Sequence, residues 1–240
     1  MGSFSLLSTL TLGAPEFALC LYFSFLLILE SKHLPFKDDV ADRKKNIFKI
    51  ILTVLIMSFS NSAISTLISD MGTASTLFIL FSIPLLKFIY KITWRKAALA
   101  SVSYALFLFS VEVMYIPTCI SIFYKNLQSF YNDQLWRLIL ISLPIRIAQL
   151  ISIITLWNWN LVLGDIKKYK INKALFVLVV LMIIWFEASF AQRFLTSFNG
   201  YNSVNRIRGI IECIACGAMN YVIFLWYIKS LKAVAKYYSL

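Results

Sequence analysis

Seven long apolar runs, separated by short segments that carry most of the positive charge, constrain this chain more than any other feature. They fall at about 6–29, 48–68, 74–90, 98–123, 138–157, 174–194 and 210–228. A helix needs about 20 mostly apolar residues to cross the hydrocarbon core of a bilayer. No water is present there to satisfy the backbone, so each N–H and C=O must be paired within the segment. The expected fold is therefore all-α, a polytopic transmembrane helix bundle of about seven spans. It forms a single integral membrane domain over 1–240, with a short basic tail at 229–240. In the first run, Gly13-Ala14-Pro15-Glu16 could shorten the helix to a partial insertion, which would leave six spans. Composition agrees with the membrane reading. The chain is 60% hydrophobic and 14% charged, against about 25% charged in a typical soluble domain.

The net charge of +12 would suggest nucleic acid in a soluble protein, but here the cations sit between spans and report topology. Alternate connections and the tail hold 17 Lys and Arg, from Lys32 through Lys236, and the opposite side holds 5. The positive side is retained in the cytoplasm, so the N-terminus is expected outside and the C-terminus inside. Trp94, Trp157, Trp159 and Trp226 then fall at the inner interface and Trp136 near the outer one, where amphipathic rings prefer to lie. Trp185 lies deeper. The N-terminus has no basic stretch of the kind that opens a cleavable signal peptide.

Within the fifth run sit Pro144, Arg146 and Gln149. A charge at the centre of a membrane helix costs about 2.5–3.5 kcal/mol on insertion scales. Arg146 therefore needs a partner, a water-filled cavity or a use. At 1.5 Å per residue, Glu112 lies roughly 21 Å above the inner edge of its span. Glu187 stands at a similar height, Glu16 in the outer half of the first span, and Glu212 near the outer end of the seventh. The candidate ligand-binding residues are accordingly Arg146, Glu112, Glu187, Glu16, Gln149 and Glu212, placed around an outward-facing cavity with Arg146 at its floor. The structural alternative is that Arg146 and one acid only hold helices together, while Glu212 and Arg208 reach interfacial water. Asn61, Gln149 and Asn220 fit interhelical hydrogen bonds. Pro84, Pro117 and Pro144 fit kinks.

No catalytic constellation appears. Cys213 and Cys216 are spaced as a redox pair could be, yet small buried cysteines at a helix interface account for them more simply. His33, the single histidine, is expected in an inner loop, too far from the mid-membrane Cys20 to serve it as a base. No phosphate-cradling or dinucleotide fingerprint and no metal-ligand spacing occurs. The expectation is a protein that is not an enzyme and that uses no cofactor or metal.

From Arg43 onward the layout resembles the membrane sensor module of accessory-gene-regulator-type histidine kinases, the quorum-sensing receptors for cyclic peptides. The residues that carry the resemblance are Lys87-Phe88-Ile89-Tyr90-Lys91-Ile92-Thr93-Trp94-Arg95-Lys96-Ala97-Ala98-Leu99, running into the span with Glu112. The basic loop Lys167–Lys173 and the last span, ending in a Lys-studded helix, add to it. The resemblance implies six or seven spans, an outward ligand pocket and a cytoplasmic output. Only KSLKAVAKYYSL follows Ile228, with no phospho-acceptor His and no Gly-rich ATP-binding box, so a kinase-less sensor or a fragment is implied.

The expected function is a multi-pass receptor-like signalling module for a small or peptide ligand, in a cell membrane, taken to be the bacterial plasma membrane. The expected partners are the lipid bilayer, an extracellular peptide or small molecule, a cytoplasmic regulator or kinase, and a second copy in a homodimer, but not nucleic acid. A transporter or permease subunit with Arg146 on the solute path is the first alternative. Neither an inverted repeat nor matched Gly-interrupted helices support it. A membrane inhibitor that sequesters a cytoplasmic regulator is the second.

Overall fold

The computed structural model describes residues 7, 9–28, 33, 40–124, 129–130, 133–158, 173–197 and 203–237. Within its helices, side chains are described outside 40–42, 110, 155–158, 173–179, 193, 195–197, 203–204 and 223–237. Among these residues are seven α-helices of 14 to 35 residues. They are α1 (Ala14–Leu27), α2 (Val40–Leu67), α3 (Met71–Tyr90), α4 (Trp94–Phe123), α5 (Leu135–Asn158), α6 (Lys173–Ser197) and α7 (Ser203–Tyr237). Five stretches are long and apolar enough to cross a membrane: Thr9–Leu27, Arg43–Leu67, Met71–Tyr90, Trp94–Phe123 and Leu135–Ile154. α6 adds the shorter apolar stretch Val180–Gln192. The chain is a multi-pass helical membrane protein.

Most helices overrun the apolar windows that announced them. α2 begins at Val40, ahead of Arg43, Lys44 and Lys45, and α7 runs on through Lys229, Lys232 and Lys236 to Tyr237. Hydropathy marks the slab of hydrocarbon, whereas the hydrogen-bond ladder continues into water wherever the residues favour helix. Residues 229–237 of the basic tail continue α7 as helix. The helices pass through Pro84, Pro117 and Pro144 without ending. The basic residues Lys167, Lys168 and Lys170, Trp159, Tyr131-Asn132 and the turn expected at Asn199-Gly200 lie outside the described residues.

Contacts fix the up-and-down order. Thr9 meets Ser62 at 3.0 Å, Ser24 donates to the Ala100 carbonyl at 3.1 Å, and the Thr53 hydroxyl donates to the Tyr90 phenol at 3.2 Å. The entry to α1 meets the end of α2, the end of α1 meets the start of α4, and the end of α3 folds back on the middle of α2, so α1–α2, α1–α4 and α2–α3 are antiparallel. At the start of α3, Asp70 accepts from the Thr73 N–H at 2.7 Å, a helix cap. Lys91, with a left-handed φ of 54°, caps the end of α3, and Thr93 caps the start of α4 two residues later. An L side chain in that conformation costs about 1–2 kcal/mol. Lys91→Gly is expected to raise stability by about 1 kcal/mol, read as a higher midpoint in chemical unfolding from detergent micelles.

The first run, the weakest of the seven as a span, forms one of the most enclosed helices. Phe17, Cys20, Leu21, Phe23, Phe25 and Leu27 are all buried, and α1 packs on α2, α4 and α5. Pro15 explains its irregular start. Proline has no N–H, and in an unbroken α-helix its ring would strike the carbonyl four residues back. Here the backbone widens into a π turn at Thr9–Gly13 before α1 begins, as helices do when the normal ladder is interrupted. The Phe17 ring packs on Phe78 and Tyr104, with centroids 5.2 and 6.0 Å away. Phe23 stacks on Phe107 at 3.9 Å. At the far end of α1, His33 lies edge-on to Tyr90 at 5.3 Å, with Phe25 completing the group.

α4 joins the two halves. On it Ala97, Ala100, Ser101, Ser103 and Ala105 are buried, small residues that let neighbouring backbones approach, as membrane helix interfaces require. Ser82 of α3 bonds Ser101 at 2.7 Å. Further along, Val113 and Ile120 pack with Phe194 of α6 and Cys213 of α7. The outward faces are apolar: Leu140, Leu143, Ile147, Leu150 and Ile154 form an exposed ridge on α5. A ridge of that extent on one helix face belongs against lipid. On the opposite face of α5, Ile145, Gln149 and Ile153 are buried at a spacing of one turn.

A buried charge cluster between the first and fifth helices

Arg146 lies beside that buried stripe and Gln149 follows three residues later, so both project from one side of α5. Arg146 Nη1 donates to Gln149 Oε1 at 3.0 Å. Its Nη2 is bonded to the Glu16 carboxylate. Both partners keep only 15% of their side-chain surface. One turn deeper, Gln149 is completely buried and its amide points at the Cys20 sulfur, 3.9 Å away. From Glu16–Arg146 to Cys20–Gln149 the contacts advance in step along both helices. α1 and α5 therefore run parallel, as first and fifth spans must if successive helices alternate.

Glu112, on α4, is the third charged member. It is within electrostatic reach of both Glu16 and Arg146. Tyr104, two turns earlier on α4 and 5% exposed, lies in the field of Cys20, Glu16, Glu112 and Arg146 together. The cluster thus sets one guanidinium against two carboxylates, with a primary amide, a thiol and a phenol around them. In so dry a place each contact is electrostatically stronger than in water, and each unpaired charge is correspondingly expensive.

The other acids in the expected site lie elsewhere. Glu187 lies apart from the Arg146 cluster: among the described residues α6 packs chiefly on α3 and α4, and less on α7. It is bonded instead to Asn220 of α7. Glu212 pairs with Arg208 one turn away at 2.9 Å, and that arginine keeps 77% of its side-chain surface. Pairs so placed contribute little. Of the six candidates the structure unites Arg146, Glu16, Gln149 and Glu112.

Two polar groupings were not anticipated from the sequence. Where α3 starts, Gln192 of α6 accepts from the Met71 N–H and donates to the Ser69 carbonyl, both at 2.6 Å. Ser189 meets Asp70 at 3.3 Å, and the Trp185 indole meets Thr73 at 3.3 Å. Ser, Thr and Gln spread through two apolar runs gave no pattern to find, since only the pairing of α3 with α6 collects them. The second grouping lines a cavity of about 320 Å³ where α4 ends and α5 begins, bounded by Phe123, Tyr124, Asp133, Arg137, Leu140 and Ile141. There the Tyr124 phenol donates to Asp133 at 2.6 Å. Burial, then the Asp133 carboxylate, pushes Tyr124 up to about 12. The same hydrogen bond is the main reason Asp133 is held below its ordinary range. Arg146 lies nine residues further along α5, about 14 Å at 1.5 Å per residue.

The four cysteines are free, and Cys20, Cys119 and Cys213 are buried. Among the described residues no three His, Cys, Asp or Glu side chains are grouped as metal ligands would be. The chain matches no family model, no curated protein and no solved structure.

Proposed function

We propose that this membrane protein is a receptor-like signalling module with its N-terminus outside, binding a small or peptide ligand near Arg146 and acting through a cytoplasmic partner. The observation that carries the reading is the cluster of Arg146, Glu16 and Glu112 between α1, α4 and α5. Formally it holds one positive and two negative charges, so a ligand presenting an amine or a guanidine would supply the missing cation. The cavity at Asp133 and Arg137 offers such a ligand a landing place at the same end of the bundle. In this reading the protein performs no covalent chemistry.

A route for the signal follows from packing. A ligand that competes for Glu16 loosens α1 from α5. α1 is also tied to α4 through Ser24 and Ala100, and α4 begins at the exposed Trp94 and Arg95. That end carries the basic segment Lys87–Lys96, the natural contact for an acidic cytoplasmic regulator. A transporter remains the second reading, favoured by the same charges lying inside the bundle.

A photocrosslinkable peptide library with free amino groups, offered to the full chain in proteoliposomes, separates the two. Crosslinks on α4 and α5, lost in Glu112→Gln, with altered amine reactivity at Lys91 and Lys96 and no peptide accumulating inside, are the expected result. Accumulation inside would establish transport, and absence of crosslinks would remove the receptor reading.

A further inference from the structure

A second buried carboxyl has no described cation beside it. Glu187 of α6 is 1% exposed and Asn220 of α7 is fully buried. The Asn220 amide donates to Glu187 Oε2. The remaining oxygens, Glu187 Oε1 and Asn220 Oδ1, are both buried and have no hydrogen-bond partner among the described residues. Each is an acceptor if the glutamate is ionised, and two orphaned acceptors on one bonded pair are costly. One proton removes both faults. A carboxylic acid is a donor as well as an acceptor. Placed on Oε1, its hydrogen can be shared with Asn220 Oδ1 while Nδ2 continues to donate to Oε2, closing a cyclic acid–amide pair.

We propose that Glu187 and Asn220 form a proton-binding site that joins α6 to α7 when loaded. A proton suits the site better than a metal cation, because hard cations gather about six or more oxygens, and Glu187 and Asn220 together present three side-chain oxygens. Among the described residues, the surrounding ionisable groups supply no counter-charge. α7 brings Cys216, close enough to interact with Glu187, with Cys213 nearby and Arg208 committed to Glu212. α3 brings Asp70, held by Thr73 and Ser189. α4 brings Glu112, engaged with Glu16 and Arg146, and Tyr115 beside Cys119. Contact between α6 and α7 is otherwise sparse. Besides this pair, the Phe194 ring lies directly over Gly209, where any side chain would collide with it. Releasing the proton leaves a bare carboxylate in an apolar seam, which must open to water. The site is separate from the Arg146 cluster and does not depend on the receptor reading.

Infrared difference titration of the full chain in lipid nanodiscs tests the proposal. At neutral pH the wild type should show the carbonyl stretch of a protonated carboxyl that shifts in heavy water. The isosteric Glu187→Gln should lose that band, and Asn220→Leu should move it to higher frequency by freeing the carbonyl from its donor. Exchanging choline chloride for sodium chloride should leave it unchanged. Absence of the band, its survival in Glu187→Gln, or its displacement by sodium would each overturn the proposal. Glu187→Gln keeps the shape of the pair and so distinguishes proton binding from packing.

Discussion

Arg146→Leu is expected to lower the unfolding free energy by about 3–5 kcal/mol, the loss typical when one member of a buried ion pair is removed. Leucine suits the span and shares the helix-forming tendency of its neighbours, so propensity does not explain such a loss. It comes from Glu16 and Glu112, which would face each other across α1 and α4 without the guanidinium between them. Gln149 would also lose the group that occupies its carbonyl. Glu16→Gln should cost less, about 1–3 kcal/mol, because Glu112 remains to accompany the arginine and glutamine can still accept from it. Reversible unfolding in mixed micelles with increasing denaturing detergent measures both. An Arg146→Leu midpoint equal to that of the wild type would mean the cluster does not hold α1 to α5.

Gly72→Leu should be comparably damaging for a steric reason. A Cβ at Gly72 would meet the Trp185 backbone carbonyl and the Ser189 hydroxyl, with the Trp185 ring next, at 3.0 Å. The hydroxyl can rotate away, but the carbonyl belongs to the helix ladder and cannot. α3 and α6 would have to separate, and the bonds from Gln192 to Ser69 and Met71 span that gap. Overpacking costs about 1–3 kcal/mol in ordinary cores, and the lost interhelical bonds put Gly72→Leu at the upper end. Gly72→Ala should fall between it and the wild type. The same detergent titration decides, and a Gly72→Leu protein as stable as the wild type would show that α3 and α6 are not in this close contact.

Much of the architecture is legible in the sequence because the bilayer leaves so few options. Apolar runs of span length must be helices, and all seven expected runs contain one. Residue-level partners are another matter. That Arg146 would seek an acid follows from the cost of burying its charge, but five spans offered acids or polar groups, and nothing local favoured Glu16. The choice depends on α1 and α5 lying parallel and adjacent, with Cys20 against Gln149 one turn from the ion pair. Glu187 shows the reverse. Its expected height matched that of Glu112, yet helix neighbours rather than depth determine contact, and its partner is an asparagine on α7. Pro15 threatens the first span on sequence grounds, whereas the π turn before it absorbs the missing hydrogen bond and allows α1 to enter the core.

One interaction is central to the bundle, the ion pair by which Arg146 ties α5 to α1. A double-mutant cycle of Glu16→Leu, Arg146→Leu and the combined variant, unfolded from the same micelles, measures it directly. The pair is predicted to show a coupling energy of about 2 kcal/mol or more, with the double variant more stable than the sum of the single losses allows. Losses that add to within about 0.5 kcal/mol would contradict it, because two residues that do not sense one another cannot form the centre of this protein.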